Sequence, residues 1–323
     1  MKISFVTTIY RTADDIEPFA ERAAEAARRL GFEHEVIFVN DGSPDNGMAV
    51  AVALAERDPS VVVVDLSRNF GQHKALWTGL GIATGDLVMM MDGDLEEDPL
   101  WAVDFHQAMV RERADVVYGV QVRPKGNPLY QMCRNAFYSL LGFLSDLDFP
   151  RDVTTARLMS RRYIDALLTF DEREIFLVGV MHVAGFRQMP LPVRKEALAP
   201  TKYTLRKLLR LFLMAVTAFS IAPLIGVFLT GLAISAGSVL LIAFLVLRYF
   251  ITGIGVPGWT SVMIGLLLFS GLSMFINGVL AIYIGTIFLE VKRRPRTIIT
   301  AIHRSTAPPD TVSPANALED ARP

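Results

Sequence analysis

Short apolar runs alternate with amphipathic segments through the first 120 residues of the chain. The apolar runs have the length and continuity of strands that are buried on both faces. The amphipathic segments repeat apolar residues every three or four positions and therefore predict helices; Ile16, Phe19, Ala23 and Ala27 share one face of the first. Strands that alternate with helices predict an α/β fold with a mostly parallel, doubly wound sheet. The predicted strands are 2–8, 35–39, 61–66, 86–91 and 115–120, and the predicted helices are 14–30, 48–57, 72–83 and 101–113.

The pattern is less regular between residue 120 and the next long apolar segment. Residues 129–147 form an apolar, amphipathic stretch, and we interpret residues 151–166 as a loop that enters a helix. Residues 201–212 separate leucines from basic residues, which is typical of a helix in the membrane interface. The tail, 306–323, is rich in Pro, Ala, Asp and Thr and is expected to be disordered.

Two long apolar segments, 222–250 and 259–289, each exceed the roughly 20 residues needed to cross a membrane. Basic residues flank the pair on both outer sides and are missing from the connector, so the positive-inside rule places both termini in the cytoplasm. A buried core of a soluble protein is the alternative. We expect an inner-membrane protein with a catalytic domain at 1–200, an interface helix at 201–213, a two-helix anchor at 214–290, and a basic segment with a disordered tail at 291–323. Glycines within the anchor could also support a homo-oligomer.

Composition excludes some classes of function. The 323 residues have a formal net charge of −1, which gives no general reason to expect nucleic-acid binding. The one cysteine, Cys133, excludes an internal disulfide and fits a protein that faces a reducing compartment.

Acidic side chains directly follow the predicted strand 86–91. Asp92 and Asp94 flank Gly93, which lets the backbone turn tightly between them. Ligands bind at the carboxyl edge of open parallel sheets, and two carboxylates this close can hold one hard cation. The sequence therefore predicts a Mg²⁺ or Mn²⁺ site, although an acidic loop that caps the helix near Pro99 is the alternative.

Polar side chains also follow the other strands. Asp41 could accept hydrogen bonds from a nucleotide, although a helix N-cap at Ser43 or Asp45 would also explain this turn. Arg123 could neutralise phosphate charge, and Arg134 could do the same or extend along an apolar surface. The residues after the third strand that could contact a ligand are Arg68, Asn69, His73 and Lys74, although a solvated position explains His73 equally well.

Several motifs occur in a specific order: VNDGSPDN (39–46), LSRNFGQHKALWTGLGIATGD (66–86), MDGDLEEDP (91–99) and DVVYGV (115–120). Together they resemble the polyprenyl-phosphate glycosyltransferases of glycosyltransferase family 2, which include dolichol-phosphate mannose synthases and bactoprenol glucosyltransferases. The similarity continues through RLMSRRYIDAL (157–167), GFRQ (185–188) and TKYTLRKLLR (201–210), and it covers residues 2–295. Each motif is weak alone, but their order and spacing are highly specific.

The resemblance implies a GT-A-type domain that binds a nucleotide-diphosphate sugar. Asp92, Asp94 and Glu96 would hold the metal and the diphosphate. Arg123 and Arg134 would act with the two aspartates at the donor and lipid phosphates. The residues expected to bind the nucleotide sugar are Thr8, Tyr10, Asp41, Ser43, Arg68, Asn69, Lys74, Lys202 and Arg206.

Two positions depart from the family pattern. Glu96 stands where the family usually has Gln, and Thr155 stands where it often has an aspartate that is proposed as a catalytic base. An alcohol acceptor needs a base, whereas a phosphomonoester has a second pKa of about 6 and is already ionised at neutral pH. Thr155 therefore favours a phosphate acceptor.

These observations lead to one hypothesis and two alternatives. The hypothesis is a metal-dependent, inverting transferase that moves a hexose from a nucleotide-diphosphate sugar to undecaprenyl phosphate, for modification of envelope glycans or lipids. The alternatives are a hydroxyl-directed member of the family and a non-catalytic membrane protein that binds nucleotide sugar or lipid phosphate. The sequence lacks the Gln-x-x-Arg-Trp motif that is typical of the family's processive synthases.

Overall fold

The computed structural model describes residues 1–122, 153–173, 175, 177–195, 222–252, 258–305 and 307–310. The chain divides into two compact units. The first contains the described residues up to 195 and those from Arg293 onward, and the second contains the described residues from 222 to Lys292. The predicted interface helix and the apolar stretch 129–147 lie outside the described residues.

The first unit contains the strands and helices that the sequence predicts up to residue 121, with boundaries shifted by at most two residues. Gly31 ends the first helix in a left-handed conformation, and its N–H donates to the carbonyls of Ala27 and Arg28. The strands are β1 (Lys2–Ile9), β2 (Glu33–Asn40), β3 (Val61–Leu66), β4 (Leu87–Met90) and β5 (Val116–Gln121). The helices are α1 (Ile16–Leu30), preceded by a 3-10 turn (Ala13–Asp15), α2 (Gly47–Arg57), α3 (Gln72–Ile82) and α4 (Trp101–Glu112).

Four further strands and two short helices complete the described part of this unit. They are β6 (Val153–Ser160), α5 (Arg161–Leu168), α6 (Leu177–Val183), β7 (Gln188–Val193), β8 (Ile299–Arg304) and β9 (Ala307–Asp310). The nine strands form one sheet in the order β7-β5-β6-β4-β1-β2-β3-β8-β9. Strands β6 and β8 run opposite to the others, so the sheet is mixed but mostly parallel, with helices packed against it.

The centre of the sheet is the parallel group β4-β1-β2-β3. Its strands are almost entirely buried, as their continuous apolar runs require. Phe5, Phe19, Phe38 and Phe105 are fully buried and join the sheet to α1 and α4. This rigid centre fixes the positions of the loops at the carboxyl ends of the strands.

The prediction for residues 151–166 was wrong in its first half. Residues 153–160 form β6, which lies between β4 and β5 and pairs with both in the antiparallel direction. The segment mixes polar and apolar residues, but Arg157 and Thr154 are buried with the apolar ones. A buried arginine interrupts the apolar run by which a buried strand is recognised, so hydropathy does not predict this strand.

The C-terminal segment differs from the basic segment and disordered tail that were expected at 291–323, because it contains two strands. Strand β8 pairs with β3, and β9 pairs with β8, so residues that follow the apolar helices extend the sheet of the first unit. The side chains of β8 are only half-buried, which explains why its short apolar pattern was not diagnostic. Residues 311–323 lie outside the described part of the chain.

The second unit contains α7 (Ala222–Thr252) and α8 (Trp259–Val291), where the two apolar segments were predicted. Each helix includes a stretch that is long and apolar enough to cross a membrane, Pro223–Leu241 and Leu268–Val291. None of either stretch is buried within the structure, unlike the core helix of a soluble protein. The two helices therefore have the properties of membrane spans by length, composition and exposure.

Candidate active site

A cleft of about 350 Å³ lies at the carboxyl ends of β1, β2 and β4. This is the edge at which open α/β sheets bind ligands. The structure brings together here six residues that the sequence selects as site candidates: Thr8, Tyr10, Asp41, Asn69, Asp92 and Asp94. Thr12, Gly71, Gln72 and Gly93 complete the lining.

The loop after β4 turns sharply so that both of its aspartates reach the cleft. A Cβ atom at Gly93 would lie 2.7 Å from the carbonyl oxygen of Thr8, so glycine lets this loop pass against β1. Leu95 has a left-handed backbone, with φ of 56°, which is strained for a leucine. The N–H of Glu96 donates to Oδ1 of Asp94 at 3.1 Å, which fixes the orientation of that carboxylate.

The two aspartates form a concentrated negative site. Burial, and then the charge of Asp92, raise the pKa of Asp94. Their oxygens are the ligand type that Mg²⁺ and Mn²⁺ prefer, and a cation would relieve this repulsion. Within the described ranges, no three His, Cys, Asp or Glu side chains are arranged as a metal site. Glu96 does not line the cleft, so its role as third ligand stays a prediction.

Asp41 organises the loop between β3 and α3. Its Oδ1 and Oδ2 accept hydrogen bonds from the N–H groups of Phe70 (2.7 Å) and Gly71 (3.0 Å). Its carbonyl oxygen accepts from Nδ2 of Asn69 at 2.9 Å. Burial raises the pKa of this carboxyl group. Asp41 thus shapes the wall of the cleft as well as lining it.

A buried ion pair, which the sequence analysis missed, lies behind the two aspartates. Nζ of Lys195 is 2.8 Å from Oε1 of Glu97 and 3.4 Å from Oδ2 of Asp92. Burial, and then the charge of Asp92, raise the pKa of Glu97 to about 7. Burial lowers the pKa of Lys195, but the charges of Glu97 and Asp92 outweigh it, so the net shift is upward.

The sequence contains a weak signal for one member of this pair. Glu97 belongs to the acidic run after β4, where the sequence could not distinguish it from neighbouring acids that are only half-buried. Lys195 follows β7, a strand that the sequence did not predict, and it is about 100 positions from the acids that it contacts. No local pattern could have joined them.

Three predicted nucleotide-sugar residues lie near the cleft but do not line it in the described part of the chain. Ser43 donates to Asp45 and accepts from the N–H of Arg11, so it stabilises the loop after β2. Arg68 packs over the ring of Phe70, 4.3 Å from its centroid. Lys74 lies in the first turn of α3. Arg123, Arg134, Lys202 and Arg206 lie outside the described residues.

The profile of the family described as "Glycosyl transferase family 2" matches residues 4–168, about half of the chain. The chain belongs to glycosyltransferase family 2. The match spans β1 to α5 and so includes the strands whose ends form the cleft.

Members of this family with curated descriptions match almost the whole chain. A protein of Mycobacterium tuberculosis (strain CDC 1551 / Oshkosh), named only as a glycosyltransferase, is 38% identical over 306 residues, which are 94% of this chain and 89% of that protein. The "Prophage bactoprenol glucosyl transferase homolog" of Escherichia coli (strain K12) is 33% identical over 307 residues, which are 94% of this chain and 100% of that protein. Both alignments extend through the region of the apolar helices.

Solved structures show more distant similarity. The mannosyltransferase PcManGT from Pyrobaculum calidifontis, in complex with GDP-Man and Mn²⁺, is 20% identical, with a TM-score of 0.43. The alignment covers 59% of this chain and 54% of that protein.

Proposed function

We propose that this family 2 glycosyltransferase transfers a hexose, with inversion, from a nucleotide-diphosphate sugar to a polyprenyl phosphate such as undecaprenyl phosphate. The observation that carries the proposal is the shared cleft of Asp41, Asp92 and Asp94 at the carboxyl edge of the parallel strands. The name of the Escherichia coli relative supports the lipid acceptor, since bactoprenol is a polyprenyl lipid. Two apolar helices would keep the enzyme at the membrane that contains this lipid.

The described lining divides into an acidic part and a mixed part. Asp92 and Asp94 would hold Mg²⁺ or Mn²⁺, whose charge would stabilise the leaving nucleoside diphosphate. Thr8, Tyr10 and Asn69 offer hydroxyl, aromatic and amide groups for the nucleotide. The hydrogen bonds of Asp41 to the loop after β3 hold this second part in shape.

The acceptor chemistry does not require a general base. A phosphomonoester is largely dianionic at neutral pH, because its second pKa is about 6. Its oxygen can attack the anomeric carbon directly, while the bond from that carbon to the diphosphate oxygen breaks on the opposite face. Thr155 lies in β6 and reaches the site through its backbone N–H, which donates to Oε1 of Glu97 at 2.9 Å. The lipid phosphate and the nucleotide-diphosphate sugar are both anionic, so they still need positive charge to reduce their repulsion and correct positioning for the attack.

The sequence suggests the side of the membrane on which transfer occurs. Basic residues precede α7 and follow α8, so the catalytic unit and both termini would be cytoplasmic. Nucleotide sugars would then reach the cleft from the cytoplasm, and the lipid phosphate would reach it from the inner leaflet.

A transfer assay with a panel of UDP- and GDP-sugars, undecaprenyl phosphate and Mn²⁺ tests this function, with mass detection of the lipid product. We expect one or a few donors to give a lipid-monophosphate-linked hexose, and we expect EDTA to remove the activity. Asp94→Ala should reduce transfer to background, because it removes one of the two cleft carboxylates that would hold the cation at the diphosphate. The matched control is Asp104→Ala, which removes an exposed carboxylate from α4.

Three outcomes would contradict the proposal. Full activity of Asp94→Ala would exclude the aspartates from the reaction. Transfer to a polyprenol but not to its phosphate would favour a hydroxyl-directed transferase. Binding of nucleotide sugar without turnover on any polyprenyl acceptor would favour a non-catalytic binding protein.

A further inference from the structure

The buried ion pair of Lys195 and Glu97 suggests a role for this lysine that its sequence position does not reveal. The side chains of Lys195, Glu97 and Asp92 are 17%, 0% and 19% exposed. Lys195 therefore places an ammonium group next to Asp92, a carboxylate that lines the cleft. The ammonium group lies on the interior side of this carboxylate. It is a fixed component of the site, unlike a surface lysine that could move freely in solvent.

Glu97 holds this lysine at a defined point. Besides the ammonium group, its Oε1 accepts the N–H of Thr155 at 2.9 Å, and its Oε2 accepts the N–H of Asp92 at 3.1 Å. One buried carboxylate thus connects the ends of β4, β6 and β7. A buried carboxylate needs a compensating charge, and Lys195 provides it.

Both carboxylate oxygens of Asp92 already have protein partners. Oδ1 accepts from Nε2 of Gln72 at 2.6 Å, and Oδ2 lies 3.4 Å from Nζ of Lys195. A divalent cation that binds Asp92 and Asp94 would therefore approach a site that is partly neutralised and that contains a positive charge. Repulsion between the ammonium group and the cation would lower the affinity of the free protein for the cation.

We propose that Lys195 is a positioning residue that makes cation binding dependent on the donor. The proposal rests on the function proposed above. In the free protein, the single positive charge of the ammonium group offsets part of the negative charge of Asp92 and Glu97 and keeps divalent cations weakly bound. A nucleoside diphosphate adds negative charge beside the ammonium group of Lys195 and beside the divalent cation. The divalent cation and the donor therefore bind together. As a result, the cleft does not bind a divalent cation tightly when the nucleotide-sugar donor is absent.

Mn²⁺ binding to the full-length protein in detergent, followed by the electron paramagnetic resonance signal of free Mn²⁺, tests this role without an activity measurement. Lys195→Gln keeps a hydrogen-bond donor for Glu97 and removes the charge. We expect it to bind Mn²⁺ without nucleotide more tightly than the wild type, by on the order of tenfold or more. Lys195→Arg keeps the charge and should bind like the wild type. Addition of UDP or GDP should reduce the difference between Lys195→Gln and the wild type.

The chain offers a matched control at the opposite edge of the sheet. Nζ of Lys2 lies 2.7 Å from Oε2 of the buried Glu35, at the start of β1. Lys2→Gln removes a lysine from a comparable pair that is remote from the cleft, and it should leave Mn²⁺ affinity unchanged. An increase in Mn²⁺ affinity in Lys2→Gln as large as that in Lys195→Gln would overturn the proposal.

A second measurement keeps the proposal testable if Lys195→Gln does not fold, as judged by circular dichroism. After subtraction of the Mn²⁺ that the nucleotide binds in the absence of protein, the wild type itself should bind Mn²⁺ more tightly with UDP or GDP than without, within the roughly 5–150-fold range of coupled ligands. Equally tight Mn²⁺ binding with and without nucleotide would overturn the role of Lys195. So would an unchanged Mn²⁺ affinity in a folded Lys195→Gln. In either case, sugar transfer and Mn²⁺ dependence in the wild type would leave the proposed function intact. Failure of the wild type to bind Mn²⁺ under any condition and to transfer sugar would overturn both.

Discussion

The guanidinium group of Arg296 lies over the indole ring of Trp77, 5.0 Å from the ring centroid. Arg296 follows the last apolar helix, whereas Trp77 belongs to α3, the helix whose first residue, Gln72, lines the cleft. The same guanidinium donates to the backbone carbonyls of Glu172 (2.7 Å) and Phe170. The segment that follows the helices therefore packs against an element of the active site.

Arg296→Ala should destabilise the first unit and weaken transfer. It removes a charged donor to two carbonyl groups and a cation–π contact, and we expect a loss of about 1–3 kcal/mol. Thermal unfolding in detergent measures the stability, and the lipid-product assay measures transfer. Arg304→Ala is the control, because this arginine is exposed at the end of β8. Equal melting temperatures for the two variants would show that Arg296 contributes no special stability.

Gly42→Ala should distort the nucleotide side of the cleft. Gly42 has a φ of 63°, and a Cβ atom there would lie 2.7 Å from the backbone nitrogen of Asn69. The left-handed conformation alone costs about 1–2 kcal/mol, and the contact would push Asn69 and its loop away. We expect a lower melting temperature and a higher KM for the nucleotide sugar.

The opposite result is expected for Gly81→Ala, which serves as the control. Gly81 is exposed in α3, and a Cβ atom there meets no atom within 4 Å. Alanine should stabilise this helix by about 0.5–1 kcal/mol. If both glycine variants changed stability and KM in the same direction, the close contact at Gly42 would not be the cause.

Thr155→Ala should have little effect on transfer. Thr155 contacts Glu97 through its backbone N–H, which alanine retains.

Glu97→Gln should reduce transfer by on the order of tenfold or more, because an amide cannot accept all three hydrogen bonds of this buried carboxylate. Single-turnover rates with undecaprenyl phosphate compare the two variants. A thousandfold loss in Thr155→Ala would show that its hydroxyl group takes part in the reaction.

The central fold was predictable because its strands are buried on both faces and read as continuous apolar runs. The outer strands do not follow this rule. Strand β7 contains Pro190 and Pro192 and is tolerated because it lies at one edge of the described sheet. Strand β6 contains the buried Arg157, which no hydropathy pattern assigns to a core. Each of these strands depends on contacts between residues that are distant in the sequence.

The site, like the fold, was predictable only where it depends on the central parallel strands. Residues that directly follow the parallel strands, such as Asp41, Asp92 and Asp94, could be placed at one edge from topology alone. Lys195 could not, because its position depends on β7 and its partner Glu97 is hidden within an acidic run. Side chains that line the cleft follow from strand order, whereas those behind it follow from tertiary packing.

The amino end of the sheet contains another buried carboxylate, Glu35, whose pKa contributes to the pH dependence of stability. Its oxygens accept hydrogen bonds from Nζ of Lys2 (2.7 Å), Oγ of Ser4 (2.6 Å) and the N–H of Thr84 (2.7 Å). Burial raises the pKa of Glu35, but these hydrogen bonds outweigh burial and lower it below its usual 4.5. The folded state therefore binds this proton less readily than the unfolded state does.

Glu35→Gln should consequently lower the melting temperature by an amount that depends on pH. A lowered pKa stabilises the folded state above the unfolded value of 4.5 and stops doing so as the pH falls through the folded value. The difference between wild type and Glu35→Gln should be largest near neutral pH and should shrink below pH 4.5. Glu33→Gln, at an exposed position of the same strand, should leave the melting temperature nearly unchanged both near neutral pH and below pH 4.5. A difference for Glu35→Gln that stays constant or grows as the medium is acidified would mean that lost packing, and not the ionised carboxylate, explains the effect.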